Sequence, residues 1–178
     1  MPKYFVTYEQ IHEFCQKISG LIKKDQWQPD CMVAIAGGGL IPSRILRTFL
    51  KVPIYVVGLR RYDENDQEIG DQPQRVQWLD EPATQLLGKK VLLVDEIDDT
   101  RRTLAVCVQE LNKYNLQELR IAVLYKKNKP KKASLPARLV QNMYYGQEIK
   151  DDWVVYPWEA VDIVEHNQFA KKSQSVIV

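Results

Sequence analysis

Two kinds of hydrophobic pattern alternate along this chain. One is the short unbroken apolar run; the other is apolar residues recurring every three or four positions. Ile11, Phe14, Cys15, Ile18, Leu21 and Ile22 recur at helical spacing behind Thr7-Tyr-Glu-Gln10, a capping-box pattern, so an amphipathic first helix is predicted there. Residues 31–35 form an apolar run that predicts a buried strand. Gly37, Gly38 and Gly39 break it, and Pro42 fits the first turn of a helix that continues to about Leu50. Further strands are predicted at 53–57, 91–94 and 120–125, with a short fifth at 153–156 and a helix over 103–113. Residues 60–82 are polar and carry Gly70 and Pro73, the pattern of a long loop or projecting hairpin. The residues after about Gln168 are expected to fray. Strands alternating with helices imply right-handed βαβ units and a mainly parallel sheet.

Composition fits this picture and removes several function classes. The 178 residues are 45% hydrophobic and 27% charged, an ordinary balance for one soluble domain. A net charge of +2 gives no case for nucleic acid or membrane binding. No apolar run reaches the length of a membrane span, and Met1-Pro-Lys-Tyr-Phe5 lacks the apolar core of a signal peptide. The three cysteines, Cys15, Cys31 and Cys107, have no metal-ligand spacing and sit in apolar segments; buried thiols in a reducing compartment are expected. With His12 and His166 the only histidines, a histidine-based triad or zinc site is not expected.

The chemistry is concentrated where the 91–94 strand ends. Apolar residues run into Asp95-Glu96-Ile97-Asp98-Asp99-Thr100-Arg101-Arg102-Thr103, and then a helix follows. This order sets carboxylates at the carboxyl end of a buried strand and free backbone N–H groups at a helix start, where a phosphate binds. Adjacent acids point to opposite faces while a strand stays extended, so Asp95 and Glu96 can serve one ligand only if the strand ends there. Acids toward sugar hydroxyls or a metal, with amides toward a phosphate, suit a phosphorylated sugar.

The segment resembles the phosphoribosyl-pyrophosphate (PRPP) motif of type I phosphoribosyltransferases, in which two acids are followed by an apolar residue, a variable one and Asp-Thr-Gly-x-Thr. Arg101 stands where the general pattern has glycine; a fungal-type branch of purine phosphoribosyltransferases also reads Asp-Thr-Arg. The resemblance gives Asp95 and Glu96 the ribose hydroxyls, directly or through Mg²⁺. It gives Asp99 the proton on purine N7, and leaves Asp98 without a role. Thr100, Arg101, Arg102 and Thr103 fall to the 5′-phosphate, with Arg102 either a phosphate ligand or a solvated surface residue. The run 34–50, with Gly37 and Gly38, looks like the family's pyrophosphate loop and its helix. Arg44 and Arg47 on that helix suit surface salt bridges or a subunit contact.

On pattern alone Trp153 is a core residue, but the resemblance makes it the aromatic that stacks on the purine. By the same likeness Val154 offers main-chain groups to the base edge, and Glu159 approaches the metal. One of the two lysines at the end of the fourth strand, Lys126 or Lys127, with Lys126 preferred for its place at the strand end, becomes the donor to purine O6 and disfavours the 6-amino group of adenine. The run from Lys126 to Lys132 otherwise reads as a solvated loop, with a nuclear-localisation patch as the alternative. Arg61-Tyr62 falls where the family has a mobile hood loop that closes over PRPP.

Together these features resemble fungal hypoxanthine-guanine and xanthine phosphoribosyltransferases. The expected fold is a single α/β domain over residues 1–178: a central, mainly parallel sheet flanked by helices, with a small hood from distant segments. The implied reaction joins PRPP to a 6-oxopurine, giving a nucleoside monophosphate and pyrophosphate, with Mg²⁺ as cofactor. A cytoplasmic homodimer with neither nucleic-acid nor membrane partner is implied as well. A catalytically silent PRPP or nucleotide sensor, and an enzyme for another base, are the competing readings.

Overall fold

The structure, a computed structural model, describes residues 2–60 and 73–174. Its elements are β1 (Lys3–Phe5), α1 (Tyr8–Lys24), β2 (Cys31–Ala36), α2 (Leu40–Leu50), β3 (Ile54–Arg60), β4 (Gln74–Gln77), α3 (Pro82–Leu86), β5 (Lys90–Asp98), α4 (Arg102–Leu111), β6 (Glu118–Lys127), α5 (Ala137–Gln141), β7 (Tyr144–Ile149), β8 (Trp153–Val155) and α6 (Ile163–Gln174). Six strands form the central sheet in the order β4-β3-β2-β5-β6-β7, and β1 pairs with β8 in a separate two-stranded sheet. All pairings are parallel except that of β4 with β3.

The unbroken apolar runs are explained by burial on both faces, as parallel sheets require. Met32, Leu92 and Leu124 pack with Ile11, Ile18 and Leu46 of α1 and α2. Their neighbours Val33, Leu93 and Val123 pack on the opposite face with Leu104, Cys107 and Leu111 of α4. The capping box forms as expected: Gln10 N donates to Thr7 Oγ1 at 3.2 Å, and Thr7 N donates to Gln10 Oε1 at 3.0 Å.

Three features depart from the expectation. β7 was not foreseen, because Gly146, Gln147 and Glu148 interrupt any apolar run; as an edge strand it keeps polar positions exposed. α6 stays helical past Gln168, held where His166 Nε2 lies 2.7 Å from Val6 O and Phe169 stacks on Phe5. β5 and β6 both outrun the predicted strands, to Asp98 and Lys127. Of the expected loop or hairpin at 60–82, β4 returns antiparallel along β3. The Arg61-Tyr62 loop lies outside the described residues.

From β2 the chain adds β3 on one side, whereas from β5 it adds β6 and β7 on the other. The order therefore reverses between β2 and β5, and ligands bind beyond the carboxyl ends of strands at such a switch point. The loop with Gly37–Gly39 leaves β2 there, and the acidic segment leaves β5 beside it.

Candidate active site

Pairing between β2 and β5 stops at Ala34 and Val94, while β5 continues beside β6 to Asp98. Among the described residues, β5 has no strand partner on the β2 side from Asp95 onward. The strand does not end at the first acid, as the sequence had suggested it must. Asp95 and Glu96 both border one cavity because the sheet opens beside them. That cavity, of about 340 Å³, is lined by Asp95, Glu96, Ile97, Asp99, Thr100, Arg101, Thr103, Leu104, Lys127, Trp153, Val154, Tyr156 and Glu159. Residues more than 50 positions apart thus meet as expected, although Gly37, Gly38, Arg102 and Lys126 are not among the lining residues.

Asp95 is buried, and Glu96 N donates to its Oδ1 at 3.0 Å. Burial, and then the charge and hydrogen bonding of Glu96, hold the Asp95 carboxyl well above the usual carboxylate range. Glu96 lies over the glycine loop: a Cβ on Gly38 would overlap its carboxylate. A Cβ on Gly39 would instead run into the carbonyl oxygens of Val94 and Ile35, so the start of α2 can pack against the two strands only with glycine there. The peptide between Ala36 and Gly37 is cis.

The turn after β5 is tied down by cations. Arg101 adopts the left-handed conformation, φ 70°, where glycine is the usual occupant. Its guanidinium folds back onto the fully buried Asp98, with Nη2 2.7 Å from Oδ2 and Nε 3.2 Å from Oδ1. Asp98, given no role from the sequence, is the anchor that this arginine requires. Lys131 Nζ donates to the carbonyls of Asp98, Asp99 and Lys127 at 2.6, 3.0 and 2.8 Å. Burial lowers the pKa of Lys131, against the pull of Asp98. Lys132 N donates to Thr100 O at 3.0 Å. The lysine run read as a solvated loop is in fact stitched to the turn that offers the amides of 99–103.

At the end of β6 the structure departs from the expectation. Lys126, expected to meet purine O6, turns away: its Nζ pairs with Glu148 at 3.0 Å and lies over the Tyr145 ring. Lys127 lines the cavity instead, with its side chain 4% exposed and its Nζ 3.4 Å from Asp99 Oδ1. Successive strand residues face opposite ways, and β6 runs to Lys127. Trp153 is 58% exposed, so the core reading of this residue fails and a surface open to a ligand remains. Tyr156, missed from the sequence, donates from its hydroxyl to Glu96 O at 3.2 Å and stacks on Trp158. It fastens the segment after β8 to β5.

Glu159 Oε2 accepts from Tyr156 N at 3.4 Å. Burial pushes its carboxyl up; the Tyr156 N–H works against this and the charge of Glu96 adds to it. Among the described residues, no three acids, histidines or cysteines converge to hold a metal ion. Glu159 turns to the Tyr156 amide, and the Glu96 carboxylate lies against Gly38.

An open, mainly parallel sheet whose strand ends bring paired acids, a turn and a buried lysine to one cavity defines the α/β class of this protein. Residues 7–160 match the phosphoribosyl transferase domain, and the chain belongs to that family. It is 39% identical to xanthine phosphoribosyltransferase 1 of Saccharomyces cerevisiae, covering 95% of each chain. Hypoxanthine-guanine phosphoribosyltransferase of the same yeast is 38% identical, over 94% of this chain and 90% of that one. A hypothetical protein from Neisseria gonorrhoeae with bound ppGpp superposes with a TM-score of 0.88 at 39% identity, covering 97% of each chain.

Proposed function

We propose that this protein is a purine-salvage phosphoribosyltransferase that joins PRPP to a 6-oxopurine and releases pyrophosphate. The observation that carries the reading is the pairing of Lys127 Nζ with Asp99 Oδ1, 3.4 Å apart in one cavity. A donor beside an acceptor complements O6 beside N7–H on a 6-oxopurine. Adenine would turn its 6-amino donors toward an ammonium, leaving buried donors facing each other. Trp153 stacks on the base and the main chain of Val154 meets its edge.

In this reading Asp99 takes the N7 proton as N9 bonds to C1 of the ribose and the bond from C1 to the pyrophosphate oxygen breaks. The amides and hydroxyls of 99–103 hold the 5′-phosphate, Asp95 and Glu96 meet the ribose hydroxyls, and the Gly37–Gly38 loop receives the pyrophosphate. Asp95 and Glu96, with Glu159 in the same cavity, would hold a divalent cation such as Mg²⁺, which would supply neutralising charge to the leaving group. Holding base, sugar and pyrophosphate together lowers the barrier through orientation. The reading also takes the protein as a cytoplasmic homodimer. Its three buried cysteines, each with its pKa pushed up by burial, suit a reducing compartment, and among the described residues no helix is long and apolar enough to cross a membrane.

The Neisseria gonorrhoeae protein with bound ppGpp favours a second reading, in which this chain also binds a guanine nucleotide bearing two diphosphates. Such a molecule presents both a base and phosphates, and in that reading it would compete with PRPP. Asp99→Asn tests the main reading: turnover falls roughly a hundredfold or more while PRPP still raises the thermal midpoint as in the wild type. Full turnover in this variant would remove Asp99 as the general base.

A further inference from the structure

Asp99 does not meet Lys127 alone. Lys129 Nζ lies 2.7 Å from Asp99 Oδ1 and 2.8 Å from Asp151 Oδ1, and Lys127 Nζ lies 3.2 Å from that same Asp151 oxygen. Two lysines and two aspartates close a ring. Asp99 and Lys127 line the cavity; Lys129 and Asp151 stand behind them, outside it. Both ammoniums approach the same Asp99 oxygen, Lys129 at 2.7 Å and Lys127 at 3.4 Å. Asp151 sits in the turn between β7 and β8, two residues before Trp153.

We infer that Lys129 and Asp151 are positioning residues for the transfer reaction: they set the charge and the placement of the Asp99–Lys127 pair that meets the purine edge. The inference rests on the phosphoribosyltransferase reading. The groups facing Asp99 are Lys127 from β6, Lys129 and Lys131 from the following loop, Asp151 from the β7–β8 turn, and Asp98 with Arg101 in its own turn. Lys131 acts on the Asp99 main chain, and Asp98 and Arg101 largely satisfy each other. Among the described residues, the Asp99 carboxylate is thereby left to Lys127 and Lys129, with Asp151 drawing on both. Lys129 is held above its ordinary pKa: burial works against this, and the carboxylates of Asp151 and Asp99 outweigh it. Asp151 is held down, chiefly by its hydrogen bond from Lys129.

The consequences have opposite signs. Lys129→Gln removes a cation that favours ionised Asp99, so the acidic limb of the kcat–pH profile moves to higher pH. Asp151→Asn frees both lysines to act on Asp99 and moves that limb to lower pH. Each shift is about one pH unit, a tenfold change in the ionised fraction. Neither side chain touches PRPP in this reading, so KM for PRPP stays within about twofold. Lys129→Arg, which keeps the charge, restores the wild-type limb.

The test is the kcat–pH profile of wild type, Lys129→Gln, Lys129→Arg and Asp151→Asn, with thermal midpoints measured with and without PRPP. Wild-type turnover is read first; its absence overturns the enzyme reading and this inference with it. Given wild-type turnover, opposite limb shifts with an unchanged PRPP KM support the positioning role. Unmoved limbs, or equal losses of stability and activity in both variants, would overturn it and leave the phosphoribosyltransferase reading standing.

Discussion

Replacing Arg101 with glycine restores the residue of the general family pattern, and it should destabilise the protein. In the left-handed region, a residue with a Cβ costs about 1 kcal/mol relative to glycine. Against that relief stands the loss of two charged hydrogen bonds to Asp98, whose side chain has no exposure. Stripping one partner from a buried ion pair costs roughly 3–5 kcal/mol. Lys131 Nζ, 3.3 Å from Asp98 Oδ2, keeps part of that charge compensated, so the low end of the range applies. Arg101→Ala keeps the backbone penalty and loses the pair, for a net cost of about 3 kcal/mol. Arg101→Gly recovers about 1 of these, for a net cost of about 2 kcal/mol. For a domain of this size those values correspond to midpoint losses of roughly 6–12 °C and 4–8 °C. The assay is thermal and urea unfolding without ligand, since a ligand that binds the folded state would mask the difference. A glycine variant at least as stable as the wild type would refute the argument that Asp98 makes arginine affordable at this position.

Other expectations concern the cavity. Lys127→Ala should lower kcat/KM for a 6-oxopurine roughly 10- to 100-fold through loss of one charged hydrogen bond, while Lys126→Ala stays within about twofold of wild type; steady-state kinetics decides between the neighbours. Trp153→Ala should raise the purine KM by about tenfold and leave the PRPP KM unchanged, as expected when one aromatic contact of about 1.4 kcal/mol is removed. The raised Asp95 carboxyl lets the unfolded chain release that proton more readily than the folded one. Its stabilising contribution is full at low pH and is lost as pH rises from the ordinary carboxylate range through the raised value. Asp95→Asn should therefore flatten the pH dependence of stability in the ligand-free protein and raise its midpoint at alkaline pH, while weakening PRPP binding roughly 10- to 100-fold in a titration.

The sheet was legible because its strands are buried on both faces, which leaves apolar runs with no periodicity of their own. β7 was not, since its sequence carries glycine and polar residues that an edge strand tolerates. The acidic motif was legible as a site because its order along the chain repeats the order of the chemistry. How Asp95 and Glu96 reach one cavity was not, because that depends on β2 pairing with β5 only as far as Val94. The choice of Lys126 over Lys127 turned on where β6 stops, and a two-residue extension of the strand reverses it. The lysine run looked solvated because charged segments usually are. Its bonds to the carbonyls of 98–100 join residues more than 30 positions apart, and no local pattern announces them.

Transfer of a phosphoribosyl group to a 6-oxopurine is read directly as nucleotide formation from PRPP and Mg²⁺ with hypoxanthine, guanine, xanthine and adenine offered separately. The geometry of Lys127 and Asp99 predicts a nucleoside monophosphate and pyrophosphate from at least one 6-oxopurine and none from adenine. Equal turnover with adenine would contradict the assignment of the base edge. PRPP binding without turnover of any base would contradict the enzyme itself and leave a sensor with this fold.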